Sequence, residues 1–435
     1  MNKKSLPFFI LVLIAVISMI YVDTNLITGD DYLYDNGDTA WVLVSTALVL
    51  IMTPGLAFFY GGMVQKKNVI STMLQSFVSM AVITVLWIFI GFSLAFGDSF
   101  HGIIGDPRSY FLFHNVINHA PIELAPTIPF LLFALFQLKF AIITPALITG
   151  AFAERIKFTS YLLFLVLFSI FIYSPLAHAT WHPDGILARA GVLDFAGGTV
   201  VHLSAGIAAL AGAIFLKRRT QEKNQPARIT YVMLGTGLLW FGWFGFNSGS
   251  AFGANKLAVI ALATTTTSSA AASLTYILFD NFRGKKPSAM GACIGAVVGL
   301  VAITPAAGFV SIAHSLVIGI CAAVTCNLMI TWRSKTSIDD TLDVFPSHGI
   351  GGIVGMLLTG VFASREINPA IKNQGLFFGE IHLFLAESLT LVGVSIYVFI
   401  MTWLILTLTN WISPIRVNSE DENIGLDKSQ HDESL

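Results

Sequence analysis

Two histidines, His202 and His348, lie inside long apolar stretches of this chain, in the runs Asp194-Phe-Ala-Gly-Gly-Thr-Val-Val-His202 and Phe345-Pro-Ser-His348-Gly-Ile-Gly-Gly. Imidazole gains or loses a proton near neutral pH. Ionisable groups inside hydrocarbon are costly enough to mark functional positions. Glycines beside both rings leave space next to the backbone. The pattern predicts a narrow pathway that holds a proton-handling pair. Asp194 precedes His202 by eight residues, about 12 Å along a helix. Asp343 precedes His348 by five, which puts it on nearly the opposite face. Neither carboxylate is an evident partner within its own helix, so the natural partner of each ring is the other. Two imidazoles that share a proton titrate as a coupled pair; the plainer reading is two packing histidines. Asp194 and Asp343 read best as helix starts, where a carboxylate accepts backbone amides.

A second group of residues is aromatic. Phe133, Phe136 and Phe140 follow an i, i+3, i+7 spacing, and Trp243, Phe246 and Ser250 repeat it, so each set lines one helix stripe. Trp181 closes another apolar run. Most aromatic residues in membrane helices pack or anchor at the interface. Rings that face a vestibule would instead hold a small cation with ~0.5–2 kcal/mol each, and the Ser250 hydroxyl would add an acceptor. Gly55, the run Tyr60-Gly61-Gly62, and Gly291, Gly295 and Gly299 read as close helix packing.

The elements that must position these residues follow from composition. The 435-residue chain is 55% apolar and 11% charged, against about 25% charged in soluble domains, which places it in a lipid bilayer. A net charge of −1 argues against nucleic acid as a partner. Cys293, Cys321 and Cys326 have neither metal-ligand spacing nor an evident disulfide partner, and no metal or cofactor is expected. Runs of about 20 apolar residues fall near 40–62, 72–97, 125–152, 159–181, 195–216, 229–252, 257–280, 288–305, 308–332, 343–363 and 379–411. The expected fold is an all-α polytopic membrane protein with eleven transmembrane helices, two inverted groups of five and one long C-terminal helix. His202 falls in the fifth span and His348 in the tenth, and equivalent elements of inverted repeats meet near the midplane.

Basic residues follow every odd span: Lys66 and Lys67, Arg155 and Lys157, Lys217 through Arg228, Arg283 with Lys285 and Lys286, and Arg333 with Lys335. Positive charge stays inside, so the N-terminus is expected outside after processing and the C-terminus in the cytoplasm. Residues 1–24 read as a signal peptide or short anchor, with a basic start before the apolar run Leu6 to Tyr21. Residues 38–412 form the membrane domain. The acidic tail, 413–435, reads from composition alone as disordered.

Several segments together resemble the ammonium transporter family (Amt/Mep/Rh). These are Thr53-Pro-Gly-Leu-Ala-Phe-Phe-Tyr-Gly-Gly62, Gly150-Ala-Phe-Ala-Glu-Arg-Ile156, Leu193-Asp-Phe-Ala-Gly-Gly-Thr-Val-Val-His202, Gly242-Trp-Phe-Gly-Phe-Asn-Ser-Gly-Ser250 and His348-Gly-Ile-Gly-Gly352. The resemblance implies eleven helices, a homotrimer in the cell (inner) membrane, nitrogen uptake, and one pore per subunit for ammonium or ammonia. It implies an outer recruitment site of Trp181, Phe140 and Ser250, and a gate of Phe140 and Phe246 with Phe136 close by. His202 and His348 would be the pore pair and Asp194 the supporting acid. The run Gly425-Leu-Asp427 is similar to the family's docking regulatory tail, where bacterial members receive a PII-type signalling protein. Three departures stand out: Lys139 beside the gate, His182-Pro183 after Trp181, and Pro346-Ser347 before His348. Two other readings are an ammonium sensor that signals through a separate partner, and a membrane haem carrier using His101, His114, His119, His178, His182 or His314.

Overall fold

In a bilayer every backbone amide needs an internal partner, and long apolar runs therefore become helices. The computed structural model describes residues 6–19, 33–220 and 225–435. Among them, ten helices are long and apolar enough to cross a membrane: Asn36–Met63, Lys66–Phe96, Phe130–Phe152, Phe158–Arg189, Gly198–Leu216, Ile229–Ala251, Lys256–Phe282, Ile312–Arg333, Phe345–Phe362 and His382–Ile412. The segment expected at 288–305 is the shorter helix Ala289–Ile303, 15 residues long. The chain is an all-α, multi-pass membrane protein. Its sheet is a two-residue hairpin, Ser99–Phe100 with Ile104–Gly105, in the long loop after Phe96.

Local signals set the ends. The expected 125–152 segment begins only at Phe130, after Pro129 at the cap position, where a missing N–H costs nothing. The helix Ile312–Arg333 starts where the Ser311 hydroxyl accepts the His314 amide. Within the expected leader, Leu6–Ser18 is helical, and Phe8, Phe9, Leu11 and Leu13 on it are exposed; residues 1–5 and 20–24 lie outside the described set.

Among the described residues five stretches widen to π-helical turns: Trp87–Gly91, Ser169–Tyr173, Gly198–Leu203, Phe244–Ser248 and Phe345–Ile350. Such turns shift the register of side chains and gather at functional sites. Three of them carry His202, Phe246 and His348. The two histidine turns have six residues each and open the helices of the fifth and tenth expected spans.

The basic loops meet at one end of the bundle. There Arg155 pairs with Asp339 at 3.0 Å, and Arg219 bridges Asp339 at 2.9 Å and Glu154 at 2.7 Å. All four residues are buried. Burial alone would raise the Asp339 carboxyl, but hydrogen bonds from Arg219 and the charges of Arg155 and Arg219 outweigh it and hold it at about 2.

The tail departs from the disorder that its composition predicts. It folds as two short helices, Ser419–Ile424 and Leu426–His431, against this basic end. The Asp427 carboxylate accepts the Ile70 and Ser71 amides at 3.1 and 2.8 Å, and Lys67 donates to the carbonyls of Glu422 and Asn423. Leu426 is fully buried. Specific capping of another helix start, invisible to composition, fixes the segment.

Candidate functional site

The two histidine-bearing helices cross where neither has a side chain. A methyl group on Gly206 would stand 2.0 Å from the Gly349 nitrogen and 2.2 Å from its Cα, so the backbones touch. One helical turn before Gly206, and one residue before Gly349, stand the two histidines. His202 and His348 come together with Nδ1 atoms 3.3 Å apart and ring centroids 5.4 Å apart. Both are buried. In this contact one Nδ1 donates its hydrogen and the other accepts. The His202 Nε2 finds no protein partner among the described residues.

Aromatic rings continue the line from this pair. Trp243 stacks on His202 at 5.4 Å, and Phe246 lies 6.1 Å from it. Phe246 and Phe140 are in face contact at 4.2 Å and 31°. Phe136 meets Phe140 edge-on at 5.0 Å, and Trp181 meets it edge-on at 5.9 Å. Above them opens a cavity of about 340 Å³, lined by Phe140, Trp181, Asp194, Ser250 and others, at the end opposite the basic loops. The Ser250 hydroxyl donates to the Phe246 carbonyl at 2.8 Å, which leaves its oxygen as an acceptor. Phe133, third member of the sequence stripe, packs instead on Phe96 and Phe252.

Asp194 holds the start of its helix. Its carboxylate accepts the amides of Gly197, Gly198, Thr199 and Val200 at 2.6–3.3 Å. Gly197 makes the entry with φ +117°, a conformation that glycine adopts freely. The Asp194 carbonyl accepts the Trp181 Nε1–H at 3.0 Å, tying the vestibule wall to the helix start. Asp343 does not play the matching part at the other helix. Its φ of +56° turns the side chain to Arg333, 2.6 Å away, and the carboxylate that accepts the Phe345 amide, at 2.7 Å, belongs to Asp340.

The three sequence departures fall in different places. Lys139 does not line the vestibule, although Phe140 and Gln137 do. His182 ends its helix with its ring stacked on His178 at 4.4 Å. Pro346 sits in the first turn of its helix, and Ser347 lines a small second cavity on the far side of His348, with Tyr60, Met63 and Leu342. Both histidine pairs are in direct ring contact, with no space between for a macrocycle. Among the described residues no group of three or more His, Cys, Asp or Glu side chains is arranged to hold a metal ion.

Sequence reasoning missed Gln137 and Asn368, both on the vestibule wall. Gln137 is buried, and its Oε1 has no partner among the described residues. A lone amide between Phe136 and Phe140 is the signal the sequence offers for it.

A polar pair enclosed in a helix bundle, reached through an aromatic vestibule, defines a membrane conduit for a small solute. The chain belongs to the ammonium transporter family: the profile described as Ammonium Transporter Family matches residues 40–435. It is therefore a membrane transporter and not an enzyme. It is similar to the ammonium transporter of Aquifex aeolicus, 45% identical over 401 residues, which is 92% of this chain and 93% of that protein. The ammonium transporter of Bacillus subtilis is 43% identical over 399 residues, 91% and 98% of the two chains. The crystal structure of Saccharomyces cerevisiae Mep2 aligns with a TM-score of 0.84 at 33% identity, over 92% and 90% of the chains. A sensor Amt protein aligns with a TM-score of 0.83 at 27% identity, over 91% and 98%.

Proposed function

We propose that this protein moves ammonium across the cell membrane by binding the cation at an outer aromatic site, removing its proton, and passing neutral ammonia through the pore. The observation that carries the reading is the His202–His348 contact at 3.3 Å, directly behind the Phe140–Phe246 pair. Ammonium and potassium share size and charge, so selection must use what potassium lacks: hydrogen-bond donors and a removable proton. The π-faces of Trp181 and Phe140 offset part of the lost hydration at ~0.5–2 kcal/mol each, and the Ser250 oxygen accepts one N–H. Phe246 and Phe136 complete the gate. A charge crossing the apolar channel costs at least ~3 kcal/mol, and deprotonation removes that cost. His202 and His348 carry the proton onward through their shared hydrogen bond, and Asp194 holds the helix that presents His202.

In this reading residues 38–412 are the transport domain and 413–435 a cytoplasmic regulatory tail, with the N-terminus outside and residues 1–24 a processed signal or short anchor. The excess of Lys and Arg at the tail end supports that orientation. The working unit is a homotrimer in the inner membrane, and the docked tail offers a face to a PII-type protein. Replacing both histidines with alanine abolishes the ammonium-driven current of proteoliposomes on a solid-supported membrane; an unchanged current rejects the relay. The likeness to a sensor Amt protein favours one second reading, in which the chain binds ammonium and signals. A sensor saturates with ammonium in a binding measurement but passes no current.

A further inference from the structure

Glu387 takes no part in the mechanism above, yet it is an acid on the membrane helix His382–Ile412 with no exposed surface. Ionisable groups inside a span are costly and rarely idle. Its Oε1 accepts the Leu193 amide at 2.8 Å, while its Oε2 has no hydrogen-bond partner among the described residues. Gly360 of the neighbouring helix makes room for it, since a methyl there would stand 3.3 Å from the Glu387 Cγ. Leu193 immediately precedes Asp194, whose carbonyl holds the Trp181 indole at 3.0 Å and whose carboxylate gathers four amides. The Leu193–Asp194 backbone is thus anchored behind by Glu387 and bears Trp181 in front. A carboxyl with one orphaned oxygen is ill suited to bear a bare charge in an apolar wall, but it needs none to accept a backbone amide.

We propose that Glu387 is a positioning residue for the outer ammonium site, which holds the Leu193–Asp194 backbone as a hydrogen-bond acceptor and so sets the Trp181 indole against the vestibule. The proposal rests on the reading of Trp181 as part of that site. Glutamine at 387 keeps the acceptor and removes the acid; leucine keeps the bulk and removes the acceptor.

The test is ammonium-driven current against ammonium concentration in proteoliposomes of the full chain. Glu387→Gln keeps the wild-type half-saturating concentration. Glu387→Leu raises it about five- to tenfold, the scale of one lost hydrogen bond, with the maximal current within about twofold. In a Trp181→Ala background, Glu387→Leu adds no further rise, because residues acting as one unit are not additive. An unchanged Glu387→Leu, a full additional rise in the Trp181→Ala background, or a Glu387→Gln as impaired as the leucine variant each overturns the proposal. Should the leucine variant not fold, Glu387→Gln decides alone: a shifted half-saturation refutes the acceptor role. If Trp181→Ala itself leaves half-saturation unchanged, the reading of the outer site fails; if only Glu387→Leu is silent, that reading stands and this proposal falls.

Discussion

The Trp243 indole lies against the His202 ring, with centroids 5.4 Å and planes 23° apart, and its Nε1 donates to the Thr304 hydroxyl at 2.9 Å. That hydroxyl passes its own hydrogen to the Leu300 carbonyl at 2.8 Å. One wall of the conduit is therefore fixed from the turn that ends the Ala289–Ile303 helix. Thr304→Val keeps the volume but strands a buried N–H, at ~1–3 kcal/mol. The expected result is a lower melting temperature and a reduced ammonium current, with Thr304→Ser close to wild type in both. A full current from the valine variant would detach the orientation of Trp243 from transport.

Gly206→Ala drives a methyl group into the Gly349 backbone at 2.0 Å. Backbone cannot yield as a flexible side chain does, so the two histidine-bearing helices must part and the His202–His348 contact with them. Overpacking of a core typically costs ~1–3 kcal/mol, and this collision stands at the upper end. Both thermal stability and current should fall. A variant with normal current would show that the crossing tolerates separation.

Asp194→Asn replaces one acceptor oxygen with an NH2 group. In either orientation that group faces amides which now find donor against donor, either Gly197 and Gly198 or Thr199 and Val200. Hydrogen bonds to charged groups contribute ~1.5–3 kcal/mol each, so stability drops by at least about 3 kcal/mol and transport is lost. Thermal unfolding in detergent together with current recordings checks this. An asparagine variant of wild-type stability would remove Asp194 from the role of helix holder.

Acid should loosen the basic end of the bundle. Asp339 titrates at about 2 in the folded protein, below its ordinary value near 3.9. A depressed carboxyl contributes stability that is complete above about pH 5 and is lost as pH falls through 4 toward 2, here about 2–3 kcal/mol. Asp339→Asn lowers stability at pH 7 and flattens its decline between pH 5 and pH 3, read as melting temperature against pH. Parallel slopes for the two proteins would contradict the assignment.

The helices and the histidine pair were legible because each rests on a strong local contrast: twenty apolar residues in a row, and a proton-binding ring among them. The crossing itself was half legible, since Gly349 stood out beside His348 while Gly206 looked like one small residue among many. The π-helical turns left no trace in the hydrophobic period, and they decide which way Phe246 and His348 point. Asp343 is the nearer carboxylate and so the expected cap of its helix, but its backbone conformation hands that task to Asp340. Glu387 and Gln137 are not legible in the sequence, as each looks like an isolated polar residue until the partners of its oxygens are known. Docking of the tail depends on residues some 350 positions away, so composition alone misses it and only the likeness of Gly425-Leu-Asp427 to the family's tail points to it.

That docking has a consequence for how the molecule is made. A nascent chain emerges from its N-terminus, so the helix Val69–Leu86 is inserted long before residue 427 leaves the ribosome. Until then the amides of Ile70 and Ser71 await the carboxylate that will close them. A helix laid down early in synthesis is thus sealed by a turn translated some 350 residues later, and a chain released before that turn carries an unsealed end at its base.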